Sequence, residues 1–316
     1  MGRRYVFGED TLLKTDMEEQ KKFFADKFET EADRRLCEMY DMLRKYDMEH
    51  SQHDNEEISK LIARTINYNF TPNDISGWDG LVNGARNNIE PEFKGFFEKK
   101  LEEFIEEYYY FLIEYGRKYG KFSYDTLSEF LSKETSLGAA LHFTTEDIIE
   151  LDELYKSWGE AVDGAEETLD YLKSEGNSLG IYVNWFRNTL IERLRKAKLL
   201  KFFDNWKKDI LTGEEIAKPA KDGYDKIARG HKGPNCIFVG NNLANDYFGP
   251  KDCYDINYKC VRGKDGQLTY VDSDPELTKK LQYGGVLFDP KDNVDANHFV
   301  KIKTLGELKD YDRRHR

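Results

Sequence analysis

Cys236-Ile237-Phe238-Val239-Gly240-Asn241-Asn242-Leu243-Ala244-Asn245-Asp246 is the stretch that decides the fold of this 316-residue chain. Four apolar residues stop at a glycine, and an amide-rich loop ending in a carboxylate follows. An apolar run that short, bounded by turn residues, reads as a strand buried on both faces of a parallel sheet. Leu179-Gly180-Ile181-Tyr182-Val183, stopped by Asn184, repeats the pattern, as does Gly285-Val286-Leu287-Phe288. Helical patterns run from Ala165 to Ser174, Phe186 to Lys198 and Tyr224 to Arg229. Strands alternating with helices predict an α/β fold, a doubly wound parallel sheet of Rossmann type with right-handed crossovers. Tyr5-Val6-Phe7 is a further strand, cut off from the others by a long helical block.

That block spans residues 16–155. Phe24, Phe28, Leu36, Met39, Tyr40 and Leu43 recur at three- and four-residue steps, the period of an amphipathic helix. Phe93, Phe96, Phe97, Leu101, Phe104, Ile105, Tyr108, Phe111, Leu112 and Tyr115 cover more than one face, so this helix is expected to be buried on two sides. Asn73 to Gly80 and Gly116 to Gly120 read as loops between helices. The expected organisation is a discontinuous α/β core, residues 1–15 plus 156–316, with a helical cap of residues 16–155 inserted after the first strand. Within the core, residues 254–283 read as a β-hairpin insertion, with Gly263-Lys264-Asp265-Gly266 at its turn.

Composition excludes several classes. With 60 acidic against 48 basic residues the net charge is -12, which repels DNA and anionic bilayers, so neither nucleic acid nor membrane is an expected partner. The basic end Arg313-Arg314-His315-Arg316 reads as a solvated terminus. A mean hydropathy of -0.77 leaves no run near the ~20 apolar residues of a membrane span. The start offers three apolar residues, Tyr5 to Phe7, before Gly8-Glu9-Asp10, short of a secretory signal. Four cysteines without CxxC spacing read as reduced thiols, and the expected location is the cytoplasm. His50 and His53 sit in a polar run and read as a solvated face; Cys236 reads as an inert core residue.

Ligands of a doubly wound sheet bind beyond the carboxyl ends of its strands. The residues there are Gly8-Glu9-Asp10-Thr11, Asn184-Trp185-Phe186-Arg187, Lys218-Pro219 after Asp209-Ile210-Leu211, and Gly240 to Asp246. Small hydroxyl, amide and carboxylate groups around one lysine suit an oxyanion, and clustered aspartate oxygens suit Mg2+. For Asp10-Thr11 a helix-capping role stands beside the chemical one.

These motifs, in this order, resemble the haloacid dehalogenase (HAD) superfamily, helical-cap subclass. The resemblance rests most on the lysine-proline step and on the glycine-led loop ending in Asn245-Asp246, and it covers about half the chain. It implies a first strand ending in Asp-x-Asp-x-Thr, whose first aspartate attacks the substrate and whose second acts as acid/base. It also implies a hydroxyl after the second strand, a charge-neutralising lysine and an aspartate loop holding Mg2+. This chain departs from that pattern. One alignment puts Gly8 at the nucleophile and Asp10 at the acid/base position; the other puts Phe7 and Glu9 there. Val183 stands at the hydroxyl, Trp185 at a small residue, and Asn241 at the first aspartate of the metal loop.

The expectation is a catalytically degenerate hydrolase homologue that binds a small anionic ligand or a protein partner in the cleft between cap and core. Asp10 and Lys218 are the candidate catalytic residues. Thr11, Asn184, Lys218, Asn241 and Asn242 are the candidate ligand contacts, and Asp10 and Asp246 would hold Mg2+, weakly. An active Mg2+-dependent phosphohydrolase using Asp10 or Glu9 stays open, as does a structural subunit using the aromatic cap as its interface.

Overall fold

The computed structural model describes residues 2–50, 54–66, 81–134, 143–241, 246, 259–262, 268–271, 283–292 and 300–315. Six parallel strands form one sheet: β1 (Arg4–Phe7), β2 (Ser178–Val183), β3 (Ile210–Thr212), β4 (Gly233–Gly240), β7 (Tyr283–Phe288) and β8 (Lys301–Ile302). Their order is β3-β2-β1-β4-β7-β8. All four residues of β1 are buried, as a strand flanked on both sides requires. Phe7 is level with Ile181 of β2 and Val239 of β4, so three strands end together. The winding reverses at β1, with β2 and β3 on one side and β4 on the other, and a doubly wound sheet opens its ligand crevice at that reversal.

Helices flank the sheet: α7 (Ala165–Ser174), α8 (Arg187–Lys196), α10 (Lys221–Ala228) and α11 (Glu307–Arg314), with one turn, α9 (Trp206–Asp209), leading into β3. Val6, Tyr182, Leu211, Cys236 and Phe238 make one buried cluster with Tyr224, Ile227 and Ala228 of α10. Burial there pushes the Cys236 thiol up to about 12, as an inert core thiol should behave. The Tyr5 hydroxyl donates to Asp312 of α11 at 2.7 Å. Arg4, almost fully buried, gives its Nε proton to the Ile227 carbonyl at 2.6 Å and pairs with Asp209 at 3.2 Å, which offsets the cost of a charged group inside the fold.

Contacts divide the chain into two compact units. One is Met1–Asp16, Leu112–Leu127 and Thr145–Arg316; the other is Met17–Phe111 and Ser128–Thr144. Residues 112–127 and 145–155, placed with the cap by the sequence, therefore pack with the strands. The reason is visible at Gly116. The expected loop from Gly116 to Gly120 is instead the end of a 39-residue helix, α4 (Leu81–Tyr119), and the chain turns only at Gly120. Gly116 serves close packing, because a Cβ there would lie 1.9 Å from the Lys218 carbonyl oxygen. Beyond the turn, Phe122 N–H donates to the Gly213 carbonyl at 2.8 Å. α5 (Tyr124–Glu134) and α6 (Thr145–Ser157) follow.

The second unit is built on α2 (Met17–Glu49), α3 (Asn55–Ile66) and most of α4. The stripe from Phe24 to Leu43 is buried, and Phe24 meets Phe104 and Tyr108 at ring distances of 5.0 and 5.1 Å. On α4, Phe93, Phe104, Tyr108, Phe111, Leu112 and Tyr115 are buried, whereas Phe96, Leu101 and Ile105 are half-covered. His50 is exposed and stacks on Tyr46; His53 and the expected loop 73–80 lie outside the described residues. β5 (Lys259–Arg262) and β6 (Leu268–Val271) pair antiparallel, giving the expected hairpin; the rest of 254–282 lies outside the described residues. No helix among the described residues is long and apolar enough to cross a membrane.

Candidate functional site at the carboxyl ends of the strands

Gly8 is the first residue beyond β1, extended, with its N–H donating to the Val239 carbonyl at 2.9 Å. Glu9 to Leu12 then coil into a single turn, α1. Lys218 arrives from the loop after β3 and is clamped by Asn184 at the end of β2. Lys218 N–H donates to Asn184 Oδ1 at 2.6 Å, and Asn184 Nδ2 donates to the Lys218 carbonyl at 3.0 Å. The Lys218 ammonium lies 5.2 Å from the centre of the Tyr182 ring and hydrogen-bonds Asp246 Oδ1. Only 5% of Lys218 and 6% of Asp246 remain exposed. A pair so far from water attracts strongly, and removing either member strands a buried charge.

Two glycines make room for that pair. A Cβ at Gly8 would sit 3.0 Å from Asp246 Oδ2, and one at Gly240 would sit 2.1 Å from the Asp246 Cβ. Position 240 therefore admits only glycine while Asp246 holds its place. At position 8, where the resemblance wants a nucleophile, the nearest neighbour of any side chain would be the Asp246 carboxylate.

The remaining acids at the strand ends have partners of their own. Glu9 pairs with Arg193 of α8, which also donates to the Lys14 carbonyl at 2.8 Å and lies over the Trp158 ring. Burial pushes the Glu9 carboxyl up, against the opposing pull of the Arg193 guanidinium. Asp10 accepts the Thr15 hydroxyl at 2.6 Å. The Thr11 hydroxyl is fully buried and turns to the Val239 carbonyl at 3.4 Å. Asn241 is exposed just past β4, and Asn242 lies outside the described residues.

The structure thus brings Asn184, Lys218 and Asp246 together and gives Asp10 and Thr11 separate local partners. Among the described residues no group of three His, Cys, Asp or Glu side chains is placed to hold a cation. Among the described residues the donor set fits Mg2+ poorly: Lys218 offsets the charge of Asp246, and Asp10 is taken up by the Thr15 hydroxyl.

Sequence reasoning missed the carboxylate behind Trp185. Asp152 of α6 is 1% exposed and accepts Trp185 Nε1–H at 2.7 Å, the Thr189 hydroxyl, and the Tyr124 hydroxyl at 2.9 Å, while Lys156 lies at 3.2 Å. Trp185, bulky where the resemblance has a small residue, is thereby locked among Tyr155, Phe186 and Phe122, at ring distances of 4.8, 5.3 and 6.4 Å. The signal was present: Ile148, Leu151, Asp152 and Tyr155 share one helical face, so Asp152 occupies a core position.

A family model described as haloacid dehalogenase-like hydrolase matches residues 53–252, more than half of the chain. The matched stretch contains Asn184, Lys218 and Asp246 and leaves out residues 8–11. Comparison with curated proteins gave no match. Among solved structures the chain is similar to a putative HAD-hydrolase, YfnB, from Bacillus subtilis, bound to magnesium, at 14% identity and TM-score 0.41, over 98% of each chain. It is also similar to a putative haloacid dehalogenase-like hydrolase from Bacteroides fragilis, at 15% identity and TM-score 0.42, over 98% of this chain and 100% of that one. A putative beta-phosphoglucomutase from Thermotoga maritima shares 12% identity at TM-score 0.38, over 99% of each chain.

Proposed function

The chain belongs to the haloacid dehalogenase-like hydrolase family, and we propose that it is a non-hydrolytic member that keeps the family frame for binding a small anionic ligand. The observation that carries this reading is Gly8. It ends β1 with no side chain, facing an Asp246 carboxylate that Lys218 already holds. Covalent hydrolysis through an aspartyl intermediate needs a carboxylate oxygen in line with the substrate at roughly 3–3.5 Å. A glycine supplies none. Glu9 and Asp10, the only other acids next to it in sequence, are engaged by Arg193 and Thr15. Losing a nucleophile costs several powers of ten in rate, which local rearrangement does not recover.

What remains is recognition. Lys218 is the cation that an anion at the strand ends would address, in competition with Asp246, and Asn184 fixes its backbone. The net charge of -12 turns the molecule away from nucleic acid and anionic bilayers, and the cytoplasm is the compartment that suits its thiols. The test is hydrolysis of p-nitrophenyl phosphate with Mg2+. The expected rate is that of the buffer blank. Mg2+-dependent turnover that disappears in Asp10→Asn overturns the proposal and establishes the active-hydrolase reading.

A further inference from the structure

The β3 edge of the strand-bearing unit holds a cavity of about 210 Å3 that is lined by none of the strand-end residues described above. Its floor is apolar: Ile210 and Leu211 of β3, the outermost strand of the sheet on that side, and Ile227 of α10, none more than 2% exposed. Its rim carries four cations, Lys207 and Lys208 from α9, Lys226 from α10 and Arg229 just past it, against one carboxylate, Glu215. In a chain of net charge -12 this reverses the local sign.

Among the described residues, ion pairs answer two of the four rim cations. Lys226 reaches Glu215 at 2.7 Å, and Arg229 reaches Asp209 at 2.7 Å. Asp209 is also shared with the buried Arg4. Lys207 lies over the Trp206 ring at 5.6 Å, and neither Lys207 nor Lys208 has a carboxylate partner among the described residues. Like charges gathered around one concavity repel, and an anion that enters relieves them.

We propose that this cavity binds a small phosphorylated anion, a pyrophosphate or phosphate monoester, at a site separate from the strand ends and independent of the non-hydrolytic reading above. The volume lies below the ~300–1,000 Å3 of sites for drug-sized ligands, so the occupant is small. Phosphate suits the rim better than carboxylate. Its oxygens point in several directions with a charge near -2, matching cations that approach from two segments, α9 and the end of α10, whereas a carboxylate offers one charge in one plane. The apolar floor receives the remainder of a monoester.

The probe is inorganic pyrophosphate, titrated calorimetrically into the full chain, with the fluorescence of the half-exposed Trp206 as a second signal. Saturable binding is expected, weakening as salt rises from about 50 to about 200 mM. The double variant Lys207→Gln/Lys208→Gln, both at exposed positions, should fold normally and bind about tenfold more weakly or worse. The variant Lys22→Gln/Lys45→Gln, which removes two exposed lysines of the helical unit, should bind as the wild type does. Any of three results overturns the proposal: no saturable binding up to roughly 10 mM pyrophosphate at low salt, equal weakening by both double variants, or succinate binding as tightly as pyrophosphate.

Discussion

Lys218 and Asp246 form the pair on which the strand ends turn. Each is almost fully buried, and each satisfies the other's charge. Lys218→Met removes the cation hydrogen-bonded to a carboxylate that is only 6% exposed, and should cost about 3–5 kcal/mol of unfolding free energy. The double variant Lys218→Met/Asp246→Leu removes both charges and should recover most of that loss, because an apolar pair of similar volume often matches a buried ion pair. Urea denaturation of the wild type, both single variants and the double variant measures this. A double variant no more stable than Lys218→Met would show that the pair is not coupled. A side chain at Gly240 would collide with Asp246, so this glycine serves proximity and not a turn.

Elements also fix the side chains around the strand ends. α6 brings Asp152 under Trp185, α8 supplies Thr189 to the same carboxylate and Arg193 to Glu9, and α5 adds Tyr124. Asp152→Ala strands three buried or half-buried donors at once and should lower stability by about 3–5 kcal/mol, with the Trp185 emission shifted to longer wavelength as its packing loosens. A loss within about 0.5 kcal/mol, in the range of an ordinary surface change, would contradict that role. Much of the frame was legible in the sequence. Apolar runs stopped by Gly or Asn marked β1, β2, β4 and β7, the Phe24-to-Leu43 stripe marked α2, and Ala165–Ser174 was delimited to the residue. Lys218 and Asp246 were legible through their motifs. The partners were not, because Arg193 and Glu9 stand 184 residues apart and nothing local says which cation meets which acid. One clue was readable: Leu190, Arg193 and Leu194 share a buried face of α8, and an arginine there must find an anion inside. Gly116 misled for the opposite reason, since glycine marks turns and close contacts alike and its sequence neighbourhood does not separate them.

At the scale of the whole molecule, a six-stranded parallel sheet brings Asn184, Lys218 and Asp246 together beyond its strands, while the first strand is followed by Gly8, which has no side chain. The matched family stretch begins at residue 53, beyond that strand, and includes the lysine and the aspartate loop. At the strand ends Lys218 is paired with Asp246, whereas the rim of the β3 cavity carries Lys207 and Lys208, which have no carboxylate partner among the described residues. On the proposed non-hydrolytic reading, β1 presents no attacking oxygen to phosphorus, because Gly8 has no side chain and Glu9 and Asp10 are engaged by Arg193 and Thr15. The most direct measurement is a crystal structure grown with Mg2+ and beryllium fluoride, which mimics a phosphoryl group bonded to a carboxylate. Lys218 is expected to be still bonded to Asp246, with no beryllium on any side chain. A beryllium–oxygen bond to Glu9, Asp10 or Asp246 would contradict it.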